Sequence, residues 1–219
     1  FGIGADGLIL LENADKYDFR MIYFNLDGRE ASMCGNGGRC IVAFAQKMGL
    51  IKTSTRFIAS DGPHEAKIDS NGLVDLHMID VTKIEKLTDG YFLNTGVPHL
   101  VHFVDDLNMI DVNIEGRQLR FDARFQPDGT NVNFVKIEKD RLVVNTYERG
   151  VEAETLACGT GITASALSAA VELKMVEGEF NIMAKGGNLS VRFKKENNLF
   201  SDIWLKGPAK LVYEGIIEI

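Results

Sequence analysis

Along most of this 219-residue chain, apolar and polar positions alternate over short runs, and in two places they follow a helical spacing instead. The glycine-rich run Gly2-Ile3-Gly4-Ala5-Asp6-Gly7 followed by Leu8-Ile9-Leu10-Leu11-Glu12 reads as a turn entering a buried strand. Phe19 to Asn25 alternates as a second strand, and Leu26-Asp27-Gly28-Arg29 carries a hairpin-type turn signal. From Arg39 to Gly49 the apolar residues Ile41, Phe44, Ala45 and Met48 recur at helical spacing, with Gly49 as a C-terminal cap. Further short strands are predicted within 55–84, 90–104 and 131–147. An Ala- and Ser-rich helix is predicted from about Gly161 to Val176. Alternation returns over 189–193 and 210–214.

The two helices share a feature that periodicity alone does not produce. Cys34-Gly35-Asn36-Gly37 opens the first and Cys158-Gly159-Thr160-Gly161 opens the second. Each cysteine follows strands and precedes a helix of small and apolar residues. This echo predicts a duplicated α/β unit whose two cysteine sites face each other across a cleft.

Composition narrows the function. With 45% hydrophobic and 25% charged residues the chain has an ordinary globular balance. A net charge of −7 with scattered Lys and Arg argues against nucleic-acid binding, which needs a clustered basic face. No apolar run reaches the roughly eighteen residues of a membrane span. Neither end shows a signal-type segment, so a cytoplasmic location is expected. The chain starts at Phe1 without Met, which predicts residues upstream. Three cysteines, Cys34, Cys40 and Cys158, do not make a disulfide framework. The four histidines are not spaced with them as zinc ligands, so no metal is expected.

Paired cysteines at helix starts suit one kind of chemistry. Inverting a carbon beside a carboxylate needs a weakly acidic proton removed on one face and another delivered on the opposite face, which one base does poorly. A thiolate and a thiol, one in each half, meet that need. A helix N-terminus carries about half a positive elementary charge, and it can lower a thiol pKa from about 8.5 towards neutral. The glycines free backbone N–H groups to converge on the substrate carboxylate and on developing enolate charge. Cys40, six residues beyond Cys34, is expected in the core and outside the chemistry.

Among the supporting residues, Arg149 suits a bidentate grip on a carboxylate and Glu148 suits orienting a thiol, although the two also fit an exposed ion pair. Asn25 and Asn131 read as turn formers or ligands. His99 reads as a satisfied strand-end residue or as a neutral partner for a cysteine thiol.

Several motifs occur in an order that resembles diaminopimelate epimerases over nearly the whole length. They are Phe1-Gly2-Ile3-Gly4-Ala5-Asp6-Gly7, Phe24-Asn25-Leu26-Asp27-Gly28, Met33-Cys34-Gly35-Asn36-Gly37-Gly38-Arg39-Cys40, Gly96-Val97-Pro98-His99, Asn131-Val132-Asn133-Phe134, Tyr147-Glu148-Arg149-Gly150, Glu154-Thr155-Leu156-Ala157-Cys158-Gly159-Thr160-Gly161, and the closing Gly207-Pro208-Ala209 with Val212-Tyr213-Glu214-Gly215. The resemblance implies a cofactor-independent epimerase interconverting LL- and meso-diaminopimelate for lysine and peptidoglycan precursors. It implies an α+β fold of two pseudo-symmetric α/β domains, each a mostly antiparallel sheet wrapped around a central helix, with the active site in the cleft between them. The halves are expected at residues 1–79 with returning strands over 208–219, and at 80–207. By the same resemblance, Cys34 and Cys158 are the acid/base thiols, supported by His99 and Glu148. Asn25, Asn131 and Arg149 hold the distal end of the substrate, and backbone groups of Gly35, Asn36, Gly159 and Thr160 hold the reacting carboxylate. A homodimer is also implied.

Three departures from the family pattern stand out. Val97 replaces the usual Asn before Pro98-His99, Glu152-Ala153 lengthens the stretch before Cys158 by one residue, and the family's N-terminal strand is expected to be missing. A proline or hydroxyproline racemase of the same fold would need no second carboxylate clamp, which Arg149, Asn25 and Asn131 provide. A redox-sensing thiol pair would leave the glycine nests without a role.

Overall fold

The computed structural model describes residues 4–5, 7–31 and 33–216. Phe1, Gly2, Ile3 and Asp6 of the first motif lie outside the described residues, as do the last three positions. The chain divides into two compact units, Phe1–Val74 with Gly207–Ile219, and Asp75–Lys206.

In the first unit, β1 (Gly7–Glu12), β2 (Phe19–Asn25) and the short β3 (Glu30–Ala31) precede α1 (Gly35–Lys47). Then come β4 (Ser54–Ala59), β5 (Gly62–Ile68) and β6 (Leu73–His77), which carries the chain across the unit boundary. β2 pairs antiparallel with β1 and β3, and β4 pairs antiparallel with β5. β2 and β4, however, run parallel. Tight turns join antiparallel neighbours, but a parallel pair needs a crossover, and α1 supplies it.

The second unit repeats this plan. It contains β7 (Ile84–Leu87), β8 (Gly90–Asn94), β9 (Pro98–Phe103), α2 (Val112–Arg120), β10 (Asn131–Ile137), β11 (Leu142–Glu148), β12 (Ala153–Thr155) and α3 (Gly159–Glu172). β13 (Glu177–Ala184), β14 (Gly187–Glu196) and β15 (Leu199–Pro208) follow. The sheet order is β15-β14-β13-β11-β10-β9-β8-β7, antiparallel except for β11 with β13 and β9 with β10. α3 is the crossover between parallel β11 and β13, and short β12 pairs with β11 as β3 pairs with β2. Strand, short strand, cysteine, helix and parallel strand thus recur in the same order in both units.

The helices differ in surroundings. In α3 every residue from Gly161 to Ala170 is buried, as an Ala- and Ser-rich helix with no polar face requires. Its Thr163 and Ser165 hydroxyls donate to carbonyls one turn back, Gly159 and Gly161, at 3.0 and 2.7 Å. α1 buries Gly35, Gly37, Gly38, Arg39, Ile41, Val42 and Ala45 on one side.

Several expectations are corrected. α1 begins at Gly35 and not Arg39, because Cys34 caps it and Gly38 N–H bonds to the Cys34 carbonyl at 2.8 Å. α3 starts at Gly159 and ends at Glu172, before Lys174 turns left-handed at φ 56°. Cys40 is exposed: it shares a helical face with Asn36, Phe44 and Lys47, all exposed. Phe44 and Met48 are likewise outside the core. β1 is not a buried strand, since Leu8 and Leu10 point outward and only alternate residues face in. Residues 210–214 form no strand, and Leu211, Val212 and Tyr213 are exposed. α2 falls where the pattern predicts no element. Its Gly116 lets the helix approach Tyr147, where an added Cβ would lie 2.5 Å from the Tyr147 Cβ.

Candidate active site

Cys34 occupies the N-cap of α1 with extended backbone (φ −99°, ψ 146°). Its Sγ accepts from the Gly37 N–H at 3.2 Å. Neither α1 nor α3 carries an acidic residue in its first turn. Gly37 leaves room beside the thiol: a Cβ would lie 3.4 Å from Cys34 Sγ and 3.2 Å from Met21 Cε. Arg39, missed by the sequence reading as a site residue, is buried one turn on. It donates to the Gly35 carbonyl at 3.2 Å, to Asn36 Oδ1 at 2.9 Å and to the Pro208 carbonyl at 3.4 Å. Burial lowers its pKa against the pull of Cys40 and Cys34. Asn25 ends β2 on the surface, where its backbone closes the turn with Gly28 and Arg29, and Gly28 takes φ +78°.

Cys158 occupies the matching N-cap of α3 (φ −108°, ψ 112°). It is buried, and its Sγ stands 3.4 Å from the Thr160 hydroxyl. Burial, then the negative charge of Glu148, pushes this thiol up to about 12. The Thr160 and Gly161 hydrogen bonds pull the other way and do not prevail. The lowering expected of a helix start is opposed at Cys158 by desolvation of the thiolate. Glu148 is itself fixed by the Thr155 hydroxyl, which donates to Oε1.

His99 is fully buried and lies 2.9 Å from Thr160 Oγ1 through Nε2. Burial, with a smaller contribution from the Arg149 charge, lowers its pKa to about 3, so the ring is neutral. Its Nδ1 meets Asn133 Nδ2 at 3.1 Å. Thr95 Oγ1 donates to the Thr160 carbonyl at 2.9 Å and anchors the start of α3. His99, Glu148, Cys158 and Thr160 are thus gathered in one place.

Asn131, buried at the start of β10, donates to the Pro98 carbonyl at 3.2 Å and accepts from the Arg149 N–H at 2.8 Å. Arg149 Nη1 donates to the Asp128 carbonyl at 3.3 Å. The lengthened stretch before Cys158 is held by Glu152, at φ 58°, which accepts from Gly150 N–H, Arg120 Nε and Tyr147 Oη at 3.0, 3.2 and 3.2 Å. Asn133 was not singled out from sequence. The signal was present in Asn131-Val132-Asn133, since residues two apart on a strand share a face. Among the described residues no three His, Cys, Asp or Glu side chains converge as a metal-ligand group, and no helix is long and apolar enough to cross a membrane.

Residues 1–84 and 91–212 match the family described as "Diaminopimelate epimerase". The chain is 48% identical over 218 residues to a diaminopimelate epimerase of Flavobacterium psychrophilum, covering 99% of this chain and 85% of that protein. It is 44% identical over 227 residues to one of Chlorobaculum tepidum, covering 100% of this chain and 87% of that protein. Among solved structures, a PhzF-family phenazine biosynthesis protein of Bacillus anthracis gives a TM-score of 0.77 at 15% identity, covering 94% of this chain and 82% of that one. A hydroxyproline epimerase of Agrobacterium vitis gives 0.69 at 16% identity, covering 92% and 72%. At these identities the structural likeness concerns the fold alone.

Proposed function

The chain belongs to the diaminopimelate epimerase family, and from that premise we propose that it interconverts LL- and meso-diaminopimelate with Cys34 and Cys158 as the paired base and acid. The observation that carries this reading is the placement of both thiols at N-caps of crossover helices, each followed by glycines at the positive end of its helix.

The step balances without a redox partner. One cysteine thiolate takes the α-proton, and the C–H bonding pair moves into the carboxylate as an enolate-like dianion. The other cysteine's S–H delivers a proton to the opposite face, and the pair returns to the new C–H bond. The first thiolate has then become a thiol and the second a thiolate, ready for the reverse reaction. Backbone N–H groups at Gly35 and Asn36, and at Gly159 and Thr160, stabilise the carboxylate as charge builds on it. With Cys158 held protonated by burial, Cys34 starts as the base. Glu148 favours the protonated Cys158 by its charge, and neutral His99 adds no cation beside the sulfur. Arg149, positioned by Asn131, receives the distal carboxylate, with Asn25 as a further ligand. The family likeness also implies a homodimer, which light scattering of the purified protein tests.

The test is incorporation of one deuterium at the α-carbon when diaminopimelate is incubated in D₂O, with proline as the comparison substrate. Inversion of diaminopimelate and none of proline is expected. Turnover of proline alone would assign the chain to a different substrate.

A further inference from the structure

The polarity of the hydrogen bonds around His99 is determined by groups that have no choice of role. The Leu100 carbonyl can only accept, and it lies 3.1 Å from one terminal atom of the Asn133 side chain, so that atom is the amide nitrogen. The other terminal atom is then the oxygen, which accepts from the Thr146 hydroxyl at 3.0 Å. The second hydrogen of the Asn133 amide points to His99 Nδ1 at 3.1 Å, so Nδ1 must be the bare, accepting nitrogen. A neutral imidazole with bare Nδ1 carries its hydrogen on Nε2, and Nε2 lies 2.9 Å from Thr160 Oγ1. Thr160 Oγ1 therefore accepts from His99, and its own hydrogen is left to donate. Cys158 Sγ is 3.4 Å away.

We propose that Asn133, His99 and Thr160 form a one-way donor chain ending on Cys158 Sγ, whose work is to stabilise that thiolate after Cys158 has given up its proton. Asn133 and Thr160 are positioning residues in this scheme. Asn133 selects the His99 tautomer, the tautomer makes the Thr160 hydroxyl an acceptor from His99, and a thiolate at Cys158, which can only accept, then takes the Thr160 hydrogen. A buried thiolate facing the charge of Glu148 has need of such a donor. The groups bearing on the sulfur are Glu148 from β11, the Gly161 N–H and Thr160 from α3, and His99 from β9 acting through Thr160, with Arg149 acting on His99. All members of the chain are buried or half-buried, so water competes poorly for the bonds. The proposal rests on Cys158 being one of the two acid/base thiols.

Two measurements test it. In the native protein, ¹⁵N NMR of histidine-labelled material is expected to show His99 neutral with hydrogen on Nε2. The Nδ1–H tautomer would overturn the chain at its first link. Second, Thr160→Val keeps the shape and the backbone N–H but removes the hydroxyl. It is expected to lower the iodoacetamide rate at Cys158, read by peptide mass spectrometry at pH 8.5, on the order of 10-fold, with a similar fall in kcat and little change in KM. Thr160→Ser should restore both to within about threefold, which a merely structural role for the methyl group would not predict. Equal rates in the Val and Ser variants would refute the proposal. If Thr160→Val does not fold, the tautomer decides alone. Full turnover in Cys158→Ala would instead remove the thiol reading on which the proposal stands.

Discussion

The carboxamide of Asn131 holds the backbone of Arg149: Oδ1 accepts from the Arg149 N–H at 2.8 Å while Nδ2 donates to the Pro98 carbonyl at 3.2 Å. A residue expected to bind substrate thus has both ends of its side chain committed to aiming another. Asn131→Ala should raise KM for diaminopimelate by about 10-fold or more, since a buried N–H left unsatisfied costs about 1–3 kcal/mol and displaces Arg149. Arg149→Lys should do the same by losing the bidentate fork. An unchanged KM in both variants would show that Arg149 does not contact substrate.

Cys34→Ala and Cys158→Ala should each lower kcat by about 10²–10⁴-fold, the usual weight of a general acid or base. Cys40→Ala should leave it unchanged, because Cys40 lies on the exposed face of α1. Near-native turnover in either of the first two would end the two-base mechanism.

The two thiols should also differ in reactivity. Cys158 is buried and pushed up to about 12, whereas Cys34 is half-buried. In a Cys40→Ala background at pH 7.5, iodoacetamide should label Cys34 well ahead of Cys158. Peptide mapping that found Cys158 labelled first would contradict this order.

His99 ties stability to pH. Its pKa is about 3 in the folded protein against 6.5 for a free histidine, so the unfolded chain binds the extra proton first. The contribution is fully present above pH 6.5 and is lost as pH falls towards 3. The midpoint of thermal unfolding should therefore drop on acidification through this window, and His99→Gln should flatten the dependence. The same slope in both proteins would assign the effect to other groups.

Gly37 and Gly161 hold equivalent places three residues after each cysteine but should not tolerate alanine equally. At Gly37 the new Cβ meets the flexible ends of Met21 and Ile9 at 3.2 and 3.3 Å. These can yield, and the helix gains up to about 1 kcal/mol from the lost glycine. At Gly161 the Cβ would overlap Asn133 Oδ1, which the Thr146 hydroxyl and the amide's own fixed orientation hold in place. Gly161→Ala should cost about 1–3 kcal/mol and most of the activity. Comparable melting temperatures for the two variants would mean that Asn133 is free to move.

The sequence by itself determined what depends on neighbours along the chain. Cys-Gly-x-Gly at two helix starts, the Asp27-Gly28 turn, the alternating strand β2 and the small-residue helix α3 are local patterns, and local backbone preferences suffice to produce them. Tertiary structure decided what depends on partners distant in sequence. Asn133 reaches His99 across 34 positions because β9 and β10 run parallel with Asn131 opposite His99, and no periodicity in either segment encodes that register. The exposure of Cys40 and Phe44 depends on which side of α1 meets the sheet, and helical spacing names a face without saying what covers it. The state of Cys158 follows the same logic. A helix N-terminus favours a thiolate, but the packing of the second unit buries this sulfur, and desolvation, then the charge of Glu148, raises its pKa.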